Sequence, residues 1–311
     1  MTRRFSQVDV FTGELSYGNA VAVVHDADGL DDDALRAFAR WTQLAETTFL
    51  LAPTPEGAAG GADYRVRILT PGRELPFAGH PTLGSARAWL AAGGVPRADG
   101  VVVQECGAGL VRVRRGAGPD GVGEVLAFAA PPLLRSGPAR HADVVAAAAA
   151  LGLDDGAVVD AAWVDNGPGW LGLLLRDAAA VLSAAPRPGA GGPSNTGLVG
   201  LHPGGSGPDG AAVEVRAFTR EAGPGDSDDA DGPWHEDPVT GSLNAGLGQW
   251  LTAPGSDRLA GDGAAVLPGR YTAAQGTALG RRGRVHVERD ADGQVWVGGG
   301  TVVGVSGTVA L

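Results

Sequence analysis

Lysine is absent from this chain of 311 residues, so all 24 of its basic side chains are arginine. That absence removes whole classes of enzyme, because there is no amine for a Schiff base and no Walker-A or kinase lysine. Cysteine is almost absent as well, since Cys106 stands alone. One thiol excludes disulfides within the chain, paired-cysteine zinc sites and any mechanism that needs two thiols. A reduced, cytoplasmic setting is therefore expected. Positive charge is scarce: the formal net charge is −11, so the phosphate-neutralising surface of a nucleic-acid binder is not expected. Arg112, Arg114 and Arg115 alternate with apolar residues and read as the wet face of a strand. No run of about 20 apolar residues occurs, so no membrane association is expected. The opening MTRRFSQVDVF has two arginines but no apolar segment before Asp9, which does not read as a secretion signal.

What is plentiful is apolar and small. Hydrophobic residues make up 44% of the chain, and glycine alone contributes 52 residues. The length fits about two domains of ~150 residues. Short β-branched runs (FSQVDVF, NAVAVVH, TTFLLA, DYRVRIL, GVVVQE, LVRVRR) alternate with helical stretches at 31–42 and 82–92. The first helix carries Asp31, Asp32 and Asp33 in its first turn, where the helix dipole favours them. Its apolar stripe runs through Leu35, Phe38, Ala39 and Trp41. Gly/Pro-rich stretches at 185–210 and 221–235 read as long surface loops, the second acidic and either a lid or a solvated insertion.

The chain also repeats itself. YGNAVAVV, RVRILTP, AGHPTLGSARAWL and QECGAGLVRVRR in the first half reappear in the same order as DNGPGWLGLLL, EVRAFTR, EDPVTGSLNAGLGQWL and AQGTALGRRGRVHVER. The offset grows from about 147 to about 170 residues, as loop insertions would make it. Two homologous lobes are expected, at 1–130 and 131–311, with the last strand free to return to the first. Aligning Pro81 with Pro238 places Gly84-Ser85 on Gly241-Ser242 and His80 opposite Asp237. Proline near a helix start loses no needed N–H. Two helix N-termini aimed into an interlobe cleft would offer free backbone N–H groups to a carboxylate or phosphate.

Taken together, FTGELSYGNAVAVV, ARWTQLAETTFL, RVRILTPGRELPFAGHPTLGSA, EDPVTGSLNA and QGTALGRRG resemble the PhzF-like phenazine-biosynthesis family of diaminopimelate-epimerase-like fold. The resemblance spans essentially the whole chain. It implies an α+β fold of two pseudo-symmetric lobes, each a curved mixed or antiparallel sheet wrapped around a central helix. It also implies a homodimer and an isomerase without cofactor or metal, acting on a small carboxylic acid such as trans-2,3-dihydro-3-hydroxyanthranilate. The family's general acid/base falls on Glu46, and its other catalytic positions fall on His80 and Asp237. Gly79, Gly241 and Ser242 would take the substrate carboxylate, and Asn19 lines the cleft edge. One residue departs from the pattern: Ala45 stands where the family has serine.

The residue chemistry runs parallel to that implication. Glu46 lies in the apolar LAETTFLLA, where burial would raise its pKa and suit it to take and return a proton. The alternative is a glutamate at a strand edge reaching water. His80 could bind substrate or relay a proton near neutrality, or cap a helix from a loop. Asp237 could hold a substrate amine or orient Glu46 or His80, or serve as a plain helix N-cap before Pro238. A metal at His235-Glu236-Asp237 is not expected, since successive residues of an extended segment face opposite ways. In the fold's thiol-dependent racemases paired cysteines take the helix-start positions, which His80 and Asp237 hold here. Cys106 is expected to be small and buried. Trp41, Trp89 and Trp250 read as core or dimer-interface residues. Asn19 and Asn166 match each other in the repeat and are expected to tie loop backbone together. Two other functions stay open: an isomerase of a different, unsaturated proline-like acid, or a small-acid binding protein without turnover.

Overall fold

The computed structural model describes residues 1–118, 123–154, 156–220, 232–256 and 269–311. The chain divides into two compact units, Met1–Ala129 with Gly298–Leu311, and Ala130–Val297. In the first, the order is β1 (Thr2–Val10), β2 (Asn19–Val24), α1 (Asp32–Thr42), β3 (Thr47–Leu51), α2 (Pro55–Ala59), β4 (Tyr64–Leu69), β5 (Glu74–Leu75), α3 (Gly79–Ala91), β6 (Val101–Cys106), β7 (Gly109–Ala117) and β8 (Glu124–Ala129). The second runs β9 (Arg135–Pro138), α4 (His141–Ala150), β10 (Val158–Asp165), β11 (Trp170–Leu175), α5 (Ala178–Ser183), β12 (Asn195–Leu201), β13 (Val213–Arg220), β14 (Trp234–Asp237), α6 (Gly241–Leu251), β15 (Arg270–Gln275) and β16 (Gly283–Arg289). The last strand, β17 (Val295–Ala310), pairs antiparallel with β1, Thr2 opposite Ala310.

The strand pairings reproduce the sequence repeat. In the first unit β1–β2 is antiparallel, β2–β3 parallel, β3–β4 antiparallel, β4–β6 parallel and β6–β7 antiparallel. The second unit has the same series in β10–β11, β11–β12, β12–β13, β13–β15 and β15–β16. Each parallel step needs a crossover, and matching helices supply it: α1 and α3 in one unit, α5 and α6 in the other. Both units are therefore α+β, a mixed sheet with one central helix.

Those central helices are buried nearly all round. From Gly79 to Ala86 every residue of α3 is buried, and so are all of α6 but Gln249. A helix without a polar face belongs inside a layer of strands. α3 packs on β1, β2, β3, β6 and β8, and α6 on β10, β11 and β16. Small residues permit the approach. A Cβ at Gly84 would sit 2.2 Å from Cγ1 of Val21, and one at Gly246 would sit 2.2 Å from the carbonyl oxygen of Val164. By contrast α1 is amphipathic: Leu35, Phe38 and Ala39 pack with Val24, Phe49 and Leu69.

Several expectations are corrected. α1 begins at Asp32, and Asp31 is its N-cap, accepting from the N–H of Ala34 at 2.8 Å. The helix expected at 82–92 begins at Gly79, because Pro81 falls in the first turn, where its missing N–H is not needed. The stretch 185–210 is not all loop. Asn195–Leu201 is a strand paired on both sides, and the ladder overrides the glycines. Within the acidic stretch 221–235, residues 221–231 lie outside the described residues, while Trp234 and His235 pair with β13. Trp250 is buried, whereas Trp41 is 75% exposed and stacks on Phe38, which removes the core reading for Trp41 alone. Cys106 is half-buried at the end of β6 rather than in the core. Among the described residues no helix is long and apolar enough to cross a membrane.

Candidate active site

The AETTF segment holds Glu46 from behind. Glu46 directly precedes β3 rather than lying within it, and its carbonyl accepts from the N–H of Ala22 at 3.4 Å. Thr47 and Thr48 are completely buried. The hydroxyl of Thr47 meets that of Thr42, at the end of α1, at 2.8 Å. Thr48 donates to the carbonyl of Ala22 and accepts from Ser85 of α3 at 2.9 Å. Both threonines are thus tied to neighbouring elements, which fixes the direction in which residue 46 leaves the sheet.

His80, the second residue of α3, meets Glu46 there. Its Nε2 lies 3.2 Å from Oε2 of Glu46, with 5% and 15% of the two side chains exposed. The distance is within hydrogen-bonding reach but off the ideal line, as unliganded acid/base sites often are. On the other side of the ring, Nδ1 lies 3.3 Å from Nδ2 of Asn19, the first residue of β2. Burial pushes the His80 pKa down to about 3, so the imidazole is neutral at physiological pH. Its contact with Glu46 is therefore one between a neutral ring and a carboxyl group. A ring held neutral to that degree offers hydrogen bonds rather than charge near pH 7. His80 does not cap a helix from a loop, since it lies inside the first turn.

In the second unit, Asp237 ends β14. The alternative reading of Asp237 as a plain N-cap falls, because that position belongs to Thr240, whose hydroxyl donates to Oδ2 of Asp237 at 2.6 Å. Gln275, at the end of β15, organises this corner. Its Oε1 accepts from the Thr240 N–H at 3.0 Å and from Asn244 at 2.8 Å. Its Nε2 donates to the Thr240 hydroxyl at 2.9 Å and to the Asp237 carbonyl at 3.3 Å. Ser242 accepts from the indole N–H of Trp170 at 3.0 Å, and its carbonyl accepts from Asn166 at 2.8 Å. Glu236 turns the other way, both of its oxygens on the Arg216 guanidinium at 2.9 and 2.7 Å.

The two helix starts are not equivalent positions. α6 begins at Gly241, which aligns with Gly84, five residues into α3. His80 is consequently helical while Asp237 is extended, although the repeat aligns them. Neither helix has a side-chain cap, Ala78 having no polar group and Thr240 spending its hydroxyl on Asp237. The first unit thus brings Glu46, His80 and Asn19 together and carries Gly79 at the start of α3. The second carries Asp237, Gly241 and Ser242 around the start of α6. Thr48, Thr240, Asn244 and Gln275 were not singled out in the sequence. One signal was available: Gln104 and Gln275 match in the repeat, and Gln104 also bonds the central helix of its unit, donating to Thr82 at 2.9 Å.

Residues 8–307 match the family described as phenazine biosynthesis-like protein, PhzC-PhzF. The chain is 37% identical over 188 residues to antisense-enhancing sequence 1 of Schizosaccharomyces pombe, a match covering 59% of this chain and 61% of that protein. It is 46% identical over 83 residues to trans-2,3-dihydro-3-hydroxyanthranilate isomerase of Pseudomonas aeruginosa, covering 27% of this chain and 28% of the relative. Both matches span less than two thirds of the relative's length. Among solved structures, a PhzF-family phenazine biosynthesis protein of Enterococcus faecalis aligns over 100% of both chains, with a TM-score of 0.72 at 22% identity. At that identity the likeness speaks for the fold.

Proposed function

Because the chain belongs to the phenazine biosynthesis-like PhzC-PhzF family, we propose that it is an isomerase needing no cofactor, with Glu46 as its general acid/base. The substrate is a small, cyclic, unsaturated amino or hydroxy carboxylic acid of the trans-2,3-dihydro-3-hydroxyanthranilate kind. One observation carries the reading: a mostly buried carboxylate stands 3.2 Å from an imidazole held neutral by burial. Glu46 takes a hydrogen from one ring carbon, forming an O–H bond as the C–H bond breaks. The electron pair left behind shifts the ring double bond, and Glu46, its carboxyl proton exchanging with solvent between the two steps, delivers a proton to another carbon on the same face of the ring. No net oxidation occurs, and one carboxyl group serves both steps. The N–H groups of Gly79, Gly241 and Ser242 are assigned to the substrate carboxylate, in keeping with helix starts that lack side-chain caps. Asp237 is assigned to the substrate's amino or hydroxyl group, on the family resemblance.

Ala45 favours a second reading of the substrate. This methyl-bearing residue is exposed beside Glu46, so a hydroxyl available in the serine-containing pattern is missing here. A different ring acid, such as an unsaturated proline-like one, would then be the substrate of the same proton transfer. Incubation in deuterated buffer with each acid tests both readings. Deuterium should enter the product of one of them at carbon, and Glu46→Gln should lower turnover about 10²–10⁴-fold while the protein stays folded. Full activity in Glu46→Gln would end the proposal, and binding with no exchange at carbon would point instead to a small-acid binding protein.

A further inference from the structure

The contacts on the two sides of the His80 ring carry an inference that rests on Glu46 as acid/base and goes beyond it. Asn19 and His80 are each 4% exposed, and both sit on rigid elements, the start of β2 and the first turn of α3, which pack on each other. The atom of Asn19 facing the ring is its amide nitrogen, 3.3 Å from Nδ1. An amide nitrogen donates and does not accept, so Nδ1 must receive with its lone pair. A neutral imidazole has a single N–H, and with Nδ1 bare that hydrogen is on Nε2. Nε2 is the atom 3.2 Å from Oε2 of Glu46.

We infer that Asn19 is a positioning residue that fixes the Nε2–H tautomer of His80, so that the ring presents a donor, and not a lone pair, to Oε2 of Glu46. The consequence concerns which oxygen does the work. A donor at Oε2 favours the carboxylate form and leaves Oε1 to receive hydrogen from substrate. Once Oε1 is protonated, Oε2 is the carbonyl oxygen of a neutral acid and still accepts from Nε2. His80 can then keep one tautomer through both halves of the reaction, gaining and losing no proton. The opposite tautomer would set a lone pair against Oε2, repel the carboxylate and hold Glu46 in its acid form. Asn19 thereby acts on the chemistry through His80, without touching substrate.

The tautomer can be read directly in the whole protein. The chain has six histidines. With their rings labelled with nitrogen-15, two-bond proton–nitrogen correlations distinguish a bare nitrogen from a protonated one, and the His80 signals are those lost in His80→Gln. A bare Nδ1 and a protonated Nε2 are expected at neutral pH. Asn19→Asp replaces the donor by an acceptor of the same shape and should move the Nδ1 signal to the protonated position. A protonated Nδ1 in the native protein, or a bare one in folded Asn19→Asp, would overturn the inference. Should Asn19→Asp not fold, the native spectrum decides alone. The measurement needs no substrate, so it is separate from the isomerase reading: an active Glu46→Gln would sink that reading and leave the tautomer standing.

Discussion

The two units share a frame and differ in what they hang on it. Both follow the same series of parallel and antiparallel pairings, and both pin a buried central helix with a glutamine of the strand after it. Both also set an arginine of the middle strand on a glutamate of the short strand beside it, Arg67 on Glu74 and Arg216 on Glu236. The reactive groups are where the likeness stops. Glu46 stands just before Thr47, and the position that corresponds to it in the second unit, just before Thr196, holds Asn195. His80 lies within its helix, whereas Asp237 lies in a strand and is gripped by Thr240. Residues that brace the sheet against the helix thus match across the repeat, and residues at the helix mouth diverge. A frame tolerates change where side chains meet water or ligand, and resists it where they fill a packed layer.

The largest expected effect probes the frame itself. Gly246→Ala drives a Cβ to 2.2 Å from a backbone carbonyl, while Gly84→Ala meets the side chain of Val21 at the same distance. A carbonyl in a strand cannot rotate away, so Gly246→Ala should cost about 3 kcal/mol or more and Gly84→Ala about 1–3 kcal/mol. Urea denaturation would measure both. Equal costs would show that the two helices are gripped alike.

Next come the glutamines. Removing Gln275 leaves the N–H of Thr240 and the amide of Asn244 without their shared acceptor, and frees the Thr240 hydroxyl beside Asp237. Gln104 donates to Thr82 and accepts from Tyr64. Gln275→Leu should therefore cost about 2–4 kcal/mol and Gln104→Leu about 1–2 kcal/mol, on the usual cost of buried groups left unpaired. Gln275→Leu should in addition disturb turnover, and Gln104→Leu should not. A reversed order would mean that the glutamine of the first unit is the more important brace.

The units should differ, last, in their response to pH. Burial lowers the His80 pKa from 6.5 to about 3. Protons bind the unfolded chain first, so this contribution is present above pH 6.5 and is lost as pH falls toward 3. In the second unit, burial raises Glu214 from 4.5 to about 7, with His202 3.3 Å away. There the native state holds a proton that the unfolded chain has released. That contribution is present below pH 4.5 and is lost as pH rises through 7. Each should be worth about 2 kcal/mol after allowance for partial screening. His80→Gln should flatten the stability curve between about pH 3 and 6.5, and Glu214→Gln between about pH 4.5 and 7. A curve left unchanged by either variant would remove that group from the balance.

Much of this was legible in the residues. Alternating apolar runs located the main strands, and the recurrence of four segments in the same order marked two matching units. AETTF and GHPT singled out Glu46 and His80, which stand in contact. What escaped notice has physical causes. Asn195–Leu201 hides among glycines and prolines, and only its two neighbouring strands make it a strand. Asp237 reads as a helix cap because aspartate often is one, yet a three-residue extended step moves the cap to Thr240. The Gln275 network joins residues 35 positions apart that share no motif.

The sequence by itself determined most of the strands, that they come in two matching sets, and which side chains are chemically able to move a proton. Periodicity, glycine spacing and side-chain chemistry are local properties, carried by the chain in any conformation. The tertiary structure alone decided that His80 is neutral, which of its nitrogens faces Glu46, and that Thr240 rather than Asp237 takes the N-cap position of α6. Those outcomes depend on desolvation and on distances of about 3 Å between groups far apart along the chain, which exist only once the sheet has closed over its central helix.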